Sequence, residues 1–242
     1  MIRTLPPENI YGHTKKLEFI LNCIAEFKRQ HSAPITILDF GCGNGSAVSQ
    51  YLIQDDTIFY GVDFHAPSIE YAKARFSRPN AQFEQSLPQN IKFDIIVYAD
   101  VLEHLPDPLS TLAEHRSVID NKGMIVGSVP NGYGPFENEK RLDKFLRLSS
   151  FMDFGIKRIK VVLNKTIPEV KDLLPYNESC GHVKYYTKNK LIETLKESGF
   201  KLVRLQNGVW IGAPLSDRFI NMLNSKNAIY LWNARIADQL PH

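Results

Sequence analysis

Asp100, Glu103 and His104, in the run Tyr98-Ala99-Asp100-Val101-Leu102-Glu103-His104-Leu105, have the types and spacing for chemistry. The acids are three positions apart and His104 lies four beyond Asp100, so on a helix all three share one face. Two carboxylates and an imidazole suit a divalent cation such as Mg, Mn or Fe. Without an ion, His104 is a general base for a hydroxyl. A plainer reading is also open. In it Asp100 binds a cofactor, Glu103 is a solvated first-turn acid favoured by the helix dipole, and His104 packs on the core.

The second group is Ile37-Leu38-Asp39-Phe40-Gly41-Cys42-Gly43-Asn44-Gly45. Alternate glycines let the backbone turn tightly and approach a ligand closely. If a helix follows, its free amide N–H groups favour phosphate or carboxylate. Asp63 lies 18 residues beyond Gly45, at the end of the next apolar run, placed to hydrogen-bond ribose hydroxyls. The spacing is GxGxG rather than the GxGxxG of nicotinamide-dependent enzymes.

These residues need an open sheet to present them. Leu17, Ile20, Leu21, Ile24 and Phe27 recur at helical steps, which predicts an amphipathic helix over 14–30. Runs at 35–38, 57–62, 82–84, 93–98 and 123–129 read as strands, and the first lacks alternation, as expected for burial on both faces. Helices are expected at 46–54, from about Ser68 with Pro67 at the start, and over 101–118. Strand and helix alternate, which predicts βαβ units in a parallel sheet with ligands at the strands' C-terminal ends. A helix around Leu191, Ile192 and Leu195 and strands at 202–205 and 209–211 close the pattern.

Residues 135–181 break that rhythm and are expected to be an inserted lid; 213–242 is expected to be a helical tail and 1–34 an N-terminal helical segment of the same single domain. The chain has 242 residues, 43% hydrophobic and 23% charged, which excludes disordered, collagenous and coiled-coil classes. Its net charge of +3 is too small to announce a nucleic-acid binder. Residues 135–175 hold nine Lys or Arg against six Asp or Glu, so the excess sits in the insertion. Cys23, Cys42 and Cys180 are odd in number and widely spaced, which fits a reducing compartment rather than a disulfide framework. With charged residues early in the chain and no long apolar run, the expectation is a cytoplasmic protein without a membrane-spanning segment.

The Asp-x-Gly-x-Gly-x-Gly turn after an apolar strand resembles the first motif of class I S-adenosylmethionine-dependent methyltransferases. The resemblance covers about 35–130 and again 182–212. It implies a Rossmann-like seven-stranded sheet, mostly parallel, with an antiparallel last strand. It also implies that Asp39, Gly41, Cys42, Gly43 and Gly45 lie near the cofactor's methionine part, with Asp100 also at the cofactor. Asp63 would hold the ribose and Phe64 would flank the adenine, near Glu84-Gln85-Ser86.

The acid-x-x-Glu-His run, Ser-Val-Pro-Asn at 128–131 and Gly-His-Val-Lys-Tyr-Tyr at 181–186 resemble two subgroups. One is the ubiquinone-biosynthesis-type O-methyltransferases. The other is the small-RNA 3′-terminal 2′-O-methyltransferases, whose pattern implies Asp100, Glu103, His104 and His182 as ligands of a divalent ion. Asp100 stands where the usual pattern has Glu. Glu103, His104 and His182 are the expected catalytic residues. The leading expectation is O-methylation of a small molecule, anionic or bulky, with methylation of an RNA 3′ end and a non-catalytic cofactor-binding module as alternatives. The mild charge argues against nucleic acid as a partner; the oligomeric state is not legible.

Overall fold

The computed structural model describes residues 10–31, 34–132, 134, 138–139, 141–142, 145, 174–175, 177, 181–208, 229, 232–233 and 235–237. They fall into two compact units, 1–130 with 174–205, and 131–173 with 206–242. The first unit takes up the chain again at 174, inside the stretch expected as an insertion. It carries the sheet and every site described below. In the second unit, residues 138, 139, 141, 142 and 145 are helical.

The sheet has the order β3-β2-β1-β4-β5 and every pairing is parallel. Its strands are β1 (Ile35–Phe40), β2 (Thr57–Val62), β3 (Ala81–Glu84), β4 (Phe93–Ala99) and β5 (Ile119–Ser128). Helix α1 (Ile10–Gln30) precedes β1, α2 (Ser49–Leu52) and α3 (Ala66–Phe76) follow β1 and β2, α4 (Pro108–Val118) leads into β5, and α5 is Lys188–Glu197. The order reverses direction at β1, so a crevice opens between the loops after β1 and β4, where such sheets take ligands.

Both faces of the sheet are buried, which explains why β1 and β4 read as continuous apolar runs. One face puts Ile37, Ile95 and Val97 against Ile20, Ile24 and Phe27 of α1 and Ile69 and Ala72 of α3. The other puts Leu38, Ile96 and Tyr98 with Leu112 of α4, and Leu191 and Leu195 of α5 pack on it. Each side chain fully removed from water contributes about 1.5–3 kcal/mol. On the second face Tyr98 hydrogen-bonds His115 Nδ1 in the interior. Burial pulls the imidazole down to about 4, so it is neutral at pH 7 and serves as a packed polar partner.

Three expectations are corrected. The stretch 101–118 is not one helix: a single 3₁₀ turn (Leu102–His104) is followed by α4. Pro106 and Pro108 disfavour helical backbone at the residues before them, and Leu105 and Asp107 are held at ψ 127° and 84°. Asp107 then caps α4, accepting from the Ser110 amide at 3.1 Å. Strand β5 starts at Ile119 rather than 123. Ile119 pairs with Phe93 and Met124 with Ile95, so the intervening residues bulge out of the ladder. Residues 202–205, expected as a strand, pair with no strand among the described residues, and Val203 is 91% exposed. The antiparallel strand expected at 209–211 lies outside the described residues, as do nearly all of the tail and most of the lid. The described residues therefore contain five strands. Among them no helix is long and apolar enough to cross a membrane.

Candidate functional site

The turn after β1 needs its glycines. Gly41 and Gly45 sit at φ 75° and 76°, and a Cβ on Gly41 would lie 2.6 Å from Val101 Cγ2. The Gly41 and Cys42 amides donate to Val62 O at 2.7 and 3.0 Å, which ties the turn to the end of β2. Asp63 clamps it from the other side. Its Oδ2 accepts from the Gly43 amide at 2.8 Å and its Oδ1 from the His65 amide at 2.9 Å. Cys42 is 8% exposed and part of the core, and burial together with the Asp39 and Asp63 charges pushes its thiol well up. Its Sγ–H donates to Gly43 O at 3.5 Å within the turn.

Asp39 is 2% exposed and accepts from Ser49 Oγ at 2.6 Å. Burial raises its carboxyl to about 6; the Ser49 bond and the Lys16 charge oppose that rise, and Asp63 adds to it. Such a carboxylate is poised for a cation. Phe64 is 70% exposed beside Asp63, and Glu84 is paired with Lys73 at 3.0 Å.

Asp100 follows β4 in the left-handed region, at φ 57°, and so stands outside the 3₁₀ turn that carries Glu103 and His104. Its carboxylate accepts from Ser128 Oγ at 2.5 Å and pairs with Lys16 Nζ of α1. Burial alone would raise its pKa, but Lys16 and Ser128, with a contribution from His13, hold it below the usual range. Lys16 and His13 were not among the expected site residues. A signal was present: His13 precedes Leu17, Ile20, Ile24 and Phe27 at steps of four and three, so a buried polar residue continues the apolar stripe.

Glu103, His104 and His182 do come together. Each offers a donor atom, and these atoms lie within 4.8 Å of one another. The 3₁₀ turn carries the first two, and the segment with His182 is fastened to that turn by its backbone. Val183 and Lys184 amides donate to Glu103 O at 2.9 and 3.0 Å. The two imidazole rings meet edge to face at 4.9 Å, and Tyr185 stands at 6.5 Å from His182. His104 Nδ1 lies 3.1 Å from Gly181 O. A carbonyl can only accept, so Nδ1 carries the proton, and in neutral His104 the lone pair is on Nε2, 3.9 Å from Glu103 Oε1. That lone pair can take a proton or a metal ion. Glu103 is 2% exposed, not a solvated acid.

One oxygen and two nitrogens converging in this way fit a borderline divalent cation. Asp100 is not among these donors, since Lys16 and Ser128 engage it.

A methyltransferase domain family matches residues 13–205. A ubiquinone biosynthesis O-methyltransferase of Haemophilus ducreyi is 22% identical over 202 residues, 78% of each chain. A malonyl-[acyl-carrier protein] O-methyltransferase of Halalkalibacterium halodurans is 24% identical, over 86% of this chain and 78% of that one. Among solved structures, an S-adenosylmethionine-dependent methyltransferase from Clostridium acetobutylicum is 18% identical with a TM-score of 0.42. That match covers 50% of this chain and 52% of the other, about half the length of each.

Proposed function

Because the chain belongs to a methyltransferase domain family, we propose that it takes a methyl group from S-adenosylmethionine and transfers it to a hydroxyl oxygen of a small molecule. The observation that carries this reading is the cluster of Glu103, His104 and His182, which begins three residues after Asp100 at the end of β4. The names of the curated relatives, O-methyltransferases both, support an oxygen acceptor.

The cofactor, when bound, supplies a methyl group already activated on a sulfonium, so the protein's main task is alignment, worth up to about 7–11 kcal/mol. In this reading the glycine turn admits the cofactor's methionine end, Asp39 faces its positive charge, and Asp63 holds the ribose. Lys16, ion-paired with Asp100 and close enough to Asp39 to act on its carboxyl, would lie near the cofactor's carboxylate. Phe64, exposed at the end of β2, is free to lie on the adenine. A divalent ion would be held by Glu103, His104 and His182, where it would lower the pKa of the acceptor hydroxyl. His104 Nε2 is the atom that takes the acceptor's proton when no ion occupies the site, and Gly181 O keeps the ring oriented for it. The charge excess of 135–175 makes an anionic or bulky acceptor the first to test.

The cofactor assignment is tested by calorimetric titration with S-adenosylmethionine. The parent protein is expected to bind one equivalent, and Asp63→Ala to bind at least about 10-fold more weakly, since a charge-assisted hydrogen bond is lost and the turn loses its clamp. Equal affinity of the two proteins would remove Asp63 from the site.

A further inference from the structure

The Pro175 carbonyl receives two side chains from the neighbouring loops that follow β1 and β2. Asn44 Nδ2, on the glycine turn after β1, donates to it at 3.1 Å. Ser68 Oγ, in the first turn of α3 after β2, donates to it at 3.3 Å. Between these two loops lies Asp63, whose carboxylate bonds one amide from each, Gly43 and His65. One carbonyl oxygen has lone pairs for both donors. Sequence separations of 131 and 107 residues make these long-range ties rather than local turn bonds.

Neither donor is accidental in its placement. Asn44 is oriented by its own Oδ1, which accepts from the Ser46 amide at 3.0 Å. Ser68 is 2% exposed and its hydroxyl also meets His65 Nδ1 at 2.8 Å.

We propose that Pro175 is the bolt of a latch across the adenosine end of the cofactor crevice, with Asn44 and Ser68 as its two catches, and that opening this latch sets the rate of cofactor exchange. The inference rests on the reading that the crevice holds the cofactor. A tie that spans the two loops stands in the path of entry as well as of release, so both steps wait on its opening.

Stopped-flow binding of S-adenosylhomocysteine to the full chain tests this, with Asn44→Asp and Ser68→Ala compared with the parent. Asn44→Asp keeps the oxygen that Ser46 needs, but removes the donor and sets a carboxylate against the Pro175 carbonyl. Each lost neutral hydrogen bond is expected to raise association and dissociation rates together by about 2–12-fold, with the equilibrium constant little changed. A rise in dissociation rate alone would mean that these side chains touch the ligand and would overturn the latch. Unchanged rates in both variants would overturn it too. Absence of any binding by the parent would instead strike the cofactor reading and take the latch with it.

Discussion

Replacing Asp39 with Asn makes the protein more stable at pH 7.5 and a poorer binder of S-adenosylmethionine. The stability gain follows from linkage. Burial raises the folded-state carboxyl to about 6 from an ordinary 3.8. Between those values the native state holds more protons than the unfolded chain, so stability is full below 3.8 and is lost as pH rises through 6. By pH 7.5 the cost of keeping the carboxylate charged is about 3 kcal/mol. Asp39→Asn removes that cost, while the amide oxygen it introduces still accepts from Ser49. The melting temperature is expected to rise by roughly 6–12 °C at pH 7.5, and the gain to shrink toward pH 4. Affinity moves the other way. A buried carboxylate facing a cationic ligand is worth about 1.5–3 kcal/mol, so binding is expected to weaken about 10–150-fold. Melting curves at both pH values and calorimetric titration read the two halves separately. A less stable Asp39→Asn protein, or one with unchanged affinity, would contradict the account. The pairing of gain and loss is the mark of a group kept for function at a cost in stability.

Glu103→Gln and His182→Gln are expected to cut methyl transfer by about 10²–10⁴-fold, the range for removing a positioned acid–base group, while cofactor affinity stays near that of the parent. The separation follows from geometry. These side chains converge on one another within 4.8 Å, whereas the cofactor-facing acids are engaged with Ser49, Gly43, His65, Lys16 and Ser128. Chelation divides the two roles open to the cluster. If an ion activates the acceptor, exhaustive chelation abolishes transfer and Mg, Mn or Fe restores it. If His104 Nε2 is the base, transfer survives chelation and is lost in His104→Gln. Variants that transfer at the parental rate would remove the cluster from the chemistry altogether.

Local pattern carried much of this protein, and it failed where backbone geometry or distant chain segments decide. Strands β1, β2 and β4 were legible because a sheet covered on both faces needs unbroken apolar runs. The glycine turn was legible because positive φ at Gly41 and Gly45 and the close approach of Val101 demand that residue. The sharing of a helical face by Asp100, Glu103 and His104 was not, because Asp100 adopts a left-handed conformation and two prolines delay the helix. Its true neighbour, Lys16, lies 84 residues away on α1. Periodicity counted only the apolar members of α1's buried stripe and so passed over His13. The meeting of His182 with His104 depends on backbone bonds from Val183 and Lys184 to Glu103, a tertiary fact that spacing alone does not carry; the family resemblance supplied it. The strand expected at 202–205 failed for a different reason: an apolar run becomes a strand only where a neighbouring edge pairs with it, and among the described residues Val203 meets no such edge.

The central claim is that this chain moves a methyl group from S-adenosylmethionine to a hydroxyl of a small molecule. Incubating it with methyl-labelled cofactor and a cell extract, then separating small molecules from RNA and protein, tests that claim most directly. The account predicts protein-dependent label in a small hydroxylated compound as an ether-linked methyl, greatly reduced with His182→Gln. Label confined to RNA, or none at all from a protein that binds the cofactor, would contradict it.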